Sequence, residues 1–150
     1  MSEIQVFPDS AALARAAAER VVSLAAEAIG ALGRFSIGLS GGSTPRTLYS
    51  LLASGQIAPR IEWEHVHVFW GDERCVPPDH GESNYRMARE ALLDHVPLPA
   101  SHVHRIRGEI DPAQAAADYE QVLHAFFGQP VGHTRLAQPR FDLLLLGLGD

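Results

Sequence analysis

An α/β fold, doubly wound around a mainly parallel sheet with helices on both faces, is predicted by three features of the sequence. Short apolar segments alternate with longer amphipathic ones, a glycine-rich turn leads from an apolar segment into a helix, and Leu143-Leu144-Leu145-Leu146 is apolar at every position. Alternating strands and helices imply crossover connections and therefore parallel strands. The leucine run suits a central strand buried on both faces, because a half-exposed strand alternates polar and apolar residues.

The elements follow in order. Ile4 to Phe7 read as a short strand. Asp9 and Ser10 offer capping oxygens to an Ala-rich helix in which Leu13, Ala17, Leu24, Ala28 and Leu32 recur at helical spacing, and Gly33 stops it. Phe35 to Leu39 is a second apolar strand, broken by Ser40-Gly41-Gly42-Ser43; Thr44 and Pro45 then open a helix carrying Leu48, Leu51 and Leu52. Val66 to Trp70 forms the next strand and runs into Gly71-Asp72-Glu73-Arg74 and a proline-rich loop as far as Ser83. A helix from about Asn84 to His95 is closed by Pro97 and Pro99, and His102 to Ile106 reads as a short strand. Asp111-Pro112 opens a helix through Phe127 that Gly128 ends, and after a loop from Gln129 to Arg140 the run Phe141 to Leu148 completes the sheet.

Composition sets the class. With 150 residues, 46% hydrophobic and 20% charged, the chain suits one ordinary globular domain with its own core. Twelve Lys plus Arg against eighteen Asp plus Glu give a charge of -6 with no basic run, which argues against nucleic acid while leaving room for arginines that bind one small anion. The lone Cys75 excludes an internal disulfide and a multi-cysteine zinc site and suits a reducing cytoplasm. Neither a basic flank with a long apolar stretch at the start nor a bilayer-length apolar segment occurs, so a soluble, unexported protein without a membrane partner is expected. A buried central strand ordinarily leads into a crossover helix, yet the sequence stops at Gly147-Leu148-Gly149-Asp150. The expectation is a C-terminally incomplete domain, with part of its sheet uncovered and open to edge pairing.

Chemistry is expected at the carboxyl ends of the strands, where open parallel sheets bind ligands. Gly41 and Gly42 let the backbone approach a ligand with its amides free, Ser43 and Thr44 add hydroxyls, and the following helix adds its positive end. This is a cradle for an anion, phosphate first; no Lys follows the glycines as in a P-loop, and no dinucleotide spacing fits. An ordinary tight turn with Thr44 as N-cap is the alternative. Three consecutive charges are too costly to bury, so Asp72, Glu73 and Arg74 belong at the crevice rim, with Asp72 and Arg74 on one side and Glu73 on the other if the chain stays extended. Arg74 then offers a planar fork to phosphate or to a developing oxyanion, with Asp72 orienting it or handling a proton; a solvated charged turn is the alternative. His65 with His67, and His102 with His104, have the spacing that sets two imidazoles on one strand face, but no carboxylate or Cys stands at ligand spacing nearby, so surface histidines are expected and no metal. Cys75, Trp63 and Trp70 read as packing residues; Arg89, Tyr119 and Glu120 read as solvated helix positions.

Gly41-Gly42-Ser43-Thr44-Pro45-Arg46 with Leu48-Tyr49, Asp72-Glu73-Arg74 with Val76-Pro77, then Ser83-Asn84-Tyr85, Tyr119-Glu120 and the final Gly147-Leu148-Gly149 together resemble the 6-phosphogluconolactonases of the glucosamine-6-phosphate isomerase superfamily. The resemblance implies that superfamily's Rossmann-like fold and hydrolysis of 6-phosphoglucono-1,5-lactone to 6-phosphogluconate in the oxidative pentose phosphate route, without cofactor. It implies substrate binding by Gly41, Gly42, Ser43, Thr44 and Arg46 and contact of Arg74 with the phosphate or the lactone end; Asp72 and Arg74 are the candidate catalytic residues. Isomerases and deaminases of the superfamily share the Gly-Ser-Thr-Pro loop and the Asp-Glu pair, but there Tyr usually follows the pair and Ser-Tyr replaces Ser-Asn; Arg74 and Asn84 favour the lactonase. A non-catalytic sugar-phosphate-binding module is a further alternative. The family's general base is a His just after the Gly-Leu-Gly strand end, in a stretch not found in these residues, so the 150 residues alone are expected to turn over little.

Overall fold

A computed structural model describes residues 4–128 and 140–147; the 129–139 part of the expected loop and the expectations on Leu148, Gly149 and Asp150 lie outside them. Among the described residues four α-helices and four parallel strands alternate: α1 Ser10–Leu32, β1 Phe35–Leu39, α2 Ser43–Leu52, β2 Val66–Trp70, α3 Asn84–Ala91, β3 Val103–His104, α4 Pro112–Phe127 and β4 Leu143–Leu144. The sheet order is β3-β2-β1-β4.

Local chemistry fixes the ends of these elements. The Asp9 carboxylate accepts from the Ala12 N–H at 2.7 Å, and Gly33 ends α1 at φ 72°. Ser83 caps α3, and Asp111 caps α4 through the Ala113 and Gln114 amides. Strand parity then sorts the two faces of the sheet. Phe35, Ile37, Leu39, Val66, Val68 and Trp70 join α1, α2 and α3 in one buried core. His67 and Phe69 face the other way, against Phe126 of α4, with ring centroids at 4.7 and 5.0 Å. Helices therefore cover both faces, as the alternation predicts.

Several expectations need correction. Residues 4–7 form no strand: Ile4 is 89% and Val6 90% exposed, so their alternation has no face to pack on. The helix expected to run to His95 breaks at Leu92 (φ -137°) into a 3-10 turn over Leu93–His95. The third strand shortens to Val103–His104, because His102 belongs to a 3-10 turn. The leucine run is not central in the described sheet: β4 pairs only with β1, and Leu144 and Leu146 are 41% and 74% exposed. Burial is conferred by neighbours, and among the described residues none pairs with its outer edge. The start of β4 is fixed by Asp142, whose carboxylate accepts from the Ser36 N–H and hydroxyl, both at 2.7 Å.

Candidate active site

Strand order locates the site. From β1 the chain steps outward through β2 to β3, then returns to the far side of β1 for β4, so the winding reverses between β1 and β4. Loops leaving such a switch point diverge to opposite faces and leave a crevice beyond the carboxyl ends. A cavity of about 690 Å³ lies there, lined by residues 40–44 after β1, by Gly71, Asp72 and Arg74 after β2, and by residues 145–147 after β4.

The turn after β1 leaves a helix start open toward the cavity. Gly42, at φ 107° and ψ 168°, occupies backbone space that side-chain-bearing residues enter only with strain, and it caps α2 without any side-chain hydrogen bond. The other three helices have their N-termini capped by Asp9, Ser83 and Asp111. No acidic residue lies in the first turn of α2, so its positive end and early amides stand unopposed at the cavity wall. Thr44 lies inside the helix and is not its N-cap. Ser40 is only 8% exposed, yet its hydroxyl has no hydrogen-bond partner among the described residues.

The charges after β2 divide by role. Asp72 and Arg74 line the cavity, whereas the Glu73 carboxylate turns away into the start of α3. It accepts from the Asn84 N–H at 2.7 Å, the Tyr85 N–H at 2.9 Å, the Ser83 hydroxyl at 3.0 Å and the Arg74 N–H at 2.7 Å. Asn84 donates its side-chain amide to the Asp72 carbonyl at 3.2 Å and carboxylate at 3.3 Å. Asp72 is thus held by Asn84 and not by Arg74. The Arg74 guanidinium, like those of Arg15, Arg20, Arg34 and Arg46, makes no ion pair among the described residues, and of these it is the one that lines the cavity; Arg60, Arg86, Arg89, Arg105 and Arg107 are paired. Beneath this turn sits Gly108: a Cβ there would collide with the Arg74 carbonyl and stand 2.9 Å from that of Val76.

The structure therefore brings Gly41, Gly42, Ser43, Thr44, Asp72 and Arg74 to one cavity. Arg46 is not brought there; it lies on the exposed side of α2, close enough to lower the pKa of Glu90, whose main partner is Arg86. A second cavity of about 690 Å³ lies on the α4 side of Asp72; Asp72, Glu73 and Glu120 line it and no Arg does, so no cation meets an anion there. Exposed Cys75 borders that second cavity instead of packing in the core. Tyr119 is also not a solvated residue: its hydroxyl donates to the Trp70 carbonyl at 3.1 Å and accepts from the Trp70 N–H at 2.9 Å.

The histidines gather away from the cavity. His67 stacks on His102 with ring centroids 3.8 Å apart, and its Nδ1 lies 3.3 Å from His104 Nε2. His65 instead joins Glu62 and Glu64 in a surface group whose ligand atoms lie within 4.8 Å of one another. Glu73, Asn84, Ser40, Tyr49 and Gly108 are the site residues that sequence reasoning left without a role. A hint existed for two of them, because Ser83-Asn84 reads as a helix start and a capped start can accept a carboxylate.

Comparison with known proteins adds the family context. The family model described as "Glucosamine-6-phosphate isomerases/6-phosphogluconolactonase" matches residues 8–150. The 6-phosphogluconolactonase of Nostoc sp. PCC 7120 is 44% identical over 148 residues, covering 98% of this chain and 58% of that protein. The Mycobacterium tuberculosis 6-phosphogluconolactonase is 42% identical over 157 residues, covering 99% and 59%. The solved 6-phosphogluconolactonase from Trypanosoma cruzi superposes with a TM-score of 0.84 at 34% identity, over 99% of this chain and 59% of that one. A monomeric glucosamine-6-phosphate deaminase at 17% identity and a TM-score of 0.74 shares the fold. The chain spans about three-fifths of the length of the relatives quoted. Among the described residues no helix is long and apolar enough to cross a membrane.

Proposed function

The chain belongs to the glucosamine-6-phosphate isomerase/6-phosphogluconolactonase family, and from that premise we propose that the protein hydrolyses 6-phosphoglucono-1,5-lactone to 6-phosphogluconate. We place the reaction in the cytoplasm, in the oxidative pentose phosphate route, with a phosphosugar lactone as the partner and no metal or organic cofactor. One observation carries the reading: an uncapped helix start and an unpaired arginine share a single cavity.

The substrate phosphate sits at the start of α2, where the amides of the Gly41–Thr44 turn and the helix dipole favour negative charge. Arg74, across the cavity on the β2 turn, meets the lactone end and stabilises the oxyanion that forms when water attacks the carbonyl. Asp72, free of Arg74 and held by Asn84, accepts a hydrogen bond from the attacking water or a substrate hydroxyl. The histidine base that the family resemblance implies follows the Gly147 turn, and residues 145–147 border this same cavity. Arg46, outside the cavity, has no contact role in this scheme.

The test is an assay of the full-length protein with the lactone and with glucosamine 6-phosphate. Lactone hydrolysis above the spontaneous rate is expected. Turnover of the amino sugar alone would make the protein an isomerase or deaminase, and phosphosugar binding without turnover would make it a binding module.

A further inference from the structure

We propose that Asn84 is a positioning residue that holds the glycine cradle and the Asp72 turn in one fixed relation, an inference that rests on the lactonase reading above. Asn84 opens α3 and is 6% exposed, so its polar side chain is placed at a cost unless its hydrogen bonds are satisfied. Its groups are spent on the site. The backbone N–H goes to Glu73, and the side-chain NH2 goes to the carbonyl and carboxylate of Asp72. The same amide lies over Gly41, where a Cβ would run into its oxygen and stand 3.1 Å from its nitrogen. One side chain therefore touches both walls of the cavity: it aims the carboxylate on the β2 side and sets how closely the β1 turn approaches. Gly41 is required by this contact and not by its backbone angle, since only Gly33, Gly42 and Gly128 have positive φ among the described residues.

The closing experiment uses two mutant cycles and one conservative variant of the full-length protein. Asn84→Ala is expected to lower kcat for the lactone about 10- to 100-fold, the scale of a small misplacement of a reacting group. In an Asp72→Ala background the same change should cost less than about twofold, because a residue acting through Asp72 has nothing left to position. Equal losses in both backgrounds would overturn the proposal. Asn84→Asp keeps the shape against Gly41 but replaces the amide that donates to Asp72 with a repelling carboxylate, so kcat should fall with KM little changed; an unchanged kcat counts against the proposal. In the second cycle Gly41→Ala should lower the melting midpoint, and do so much less when Asn84 is Ala. Wild-type protein that fails to turn over the lactone defeats the functional reading alone, and the melting cycle then decides: an undiminished cost of Gly41→Ala overturns the coupling.

Discussion

The hydroxyl of Tyr49 closes on both main-chain groups of Ser40, accepting from its N–H at 3.0 Å and donating to its carbonyl at 2.8 Å. Tyr119 does the same at Trp70. Ser40 follows β1 and Trp70 ends β2, so two of the three strands whose turns line the cavity are latched by a phenol where the turn departs. A hydroxyl both donates and accepts, and so satisfies two main-chain groups at once. Burial pushes both phenols up to about 12.

Tyr49→Phe removes one atom and strands two buried backbone groups. The expected loss is about 1–3 kcal/mol of stability, read as a lower urea midpoint with an unchanged slope. Tyr49 is fully buried while Tyr119 is only half-buried, so Tyr119→Phe should cost less. A larger loss for Tyr119→Phe would contradict this account of the latches.

Glu73→Gln tests the brace behind the site. The carboxylate accepts four hydrogen bonds from Ser83, Asn84, Tyr85 and Arg74, and an amide in its place cannot accept them all. Hydrogen bonds to charged groups are worth roughly 1.5–3 kcal/mol, and a loss of about that size is expected on urea unfolding. Faster hydrogen exchange at the Asn84 and Tyr85 amides would locate the damage; unchanged exchange there would show that Glu73 is a surface charge after all.

That contrast shows what the sequence can and cannot convey. The limits of β1, β2 and α4 are legible because their stop signals are local: Gly33, Gly41-Gly42, Gly71, Asp111-Pro112 and Gly128 each act through their own backbone or nearest amides. The cradle is legible for the same reason. Glu73 reads as a rim charge because its partners lie about ten residues on, and no local pattern says that the loop folds back. Leu143–Leu146 reads as a sheet centre because apolarity reports capacity for burial, while burial itself depends on which strand lies alongside. Arg46 belongs to the matching motif, yet helical spacing carries it round α2 to the outer surface.

Arg74→Ala separates the two ends of the substrate. If Arg74 serves the lactone oxygen while backbone amides hold the phosphate, kcat should fall about 10- to 150-fold, the equivalent of roughly 1.5–3 kcal/mol for a charge-assisted contact, with a smaller change in KM. Inorganic phosphate should then inhibit the variant about as well as the wild type. A rise in KM and in the phosphate inhibition constant, with kcat preserved, would move Arg74 to the phosphate end.

Gly42→Ala probes the cradle from the backbone side. At φ 107° an added Cβ is expected to cost about 1–3 kcal/mol of strain, or to pull the turn out of shape. If the amides of this turn hold the anion, the stability loss should come with weaker phosphate inhibition, because they move with the turn. Phosphate inhibition that survives a full strain penalty would place the anion elsewhere in the cavity.

The half-buried histidines make stability depend on mildly acidic pH. His67 is held down to about 4, first by burial and then by the charges of His102, His104 and Arg34, and burial also lowers His104. In the unfolded chain a histidine titrates near 6.5, so between about 6.5 and 4 the unfolded state binds more protons than the folded one. Stability is therefore full above about pH 6.5 and falls as the pH drops toward 4. The carboxylates act lower: Arg105 holds Glu109 down to about 2, and Arg60 and Arg86 lower Glu19 and Glu90, so these groups weaken the fold only below the ordinary carboxylate range. The window from 6.5 to about 4.5 thus belongs to the imidazoles. His67 is half-buried, and the exposure it keeps screens the effect to less than the shift alone implies. The urea midpoint should decline from pH 7 to pH 5, and His67→Phe, which keeps a ring against Phe126 without a titrating nitrogen, should flatten that decline. An equal decline in the variant would assign the acid sensitivity to other groups.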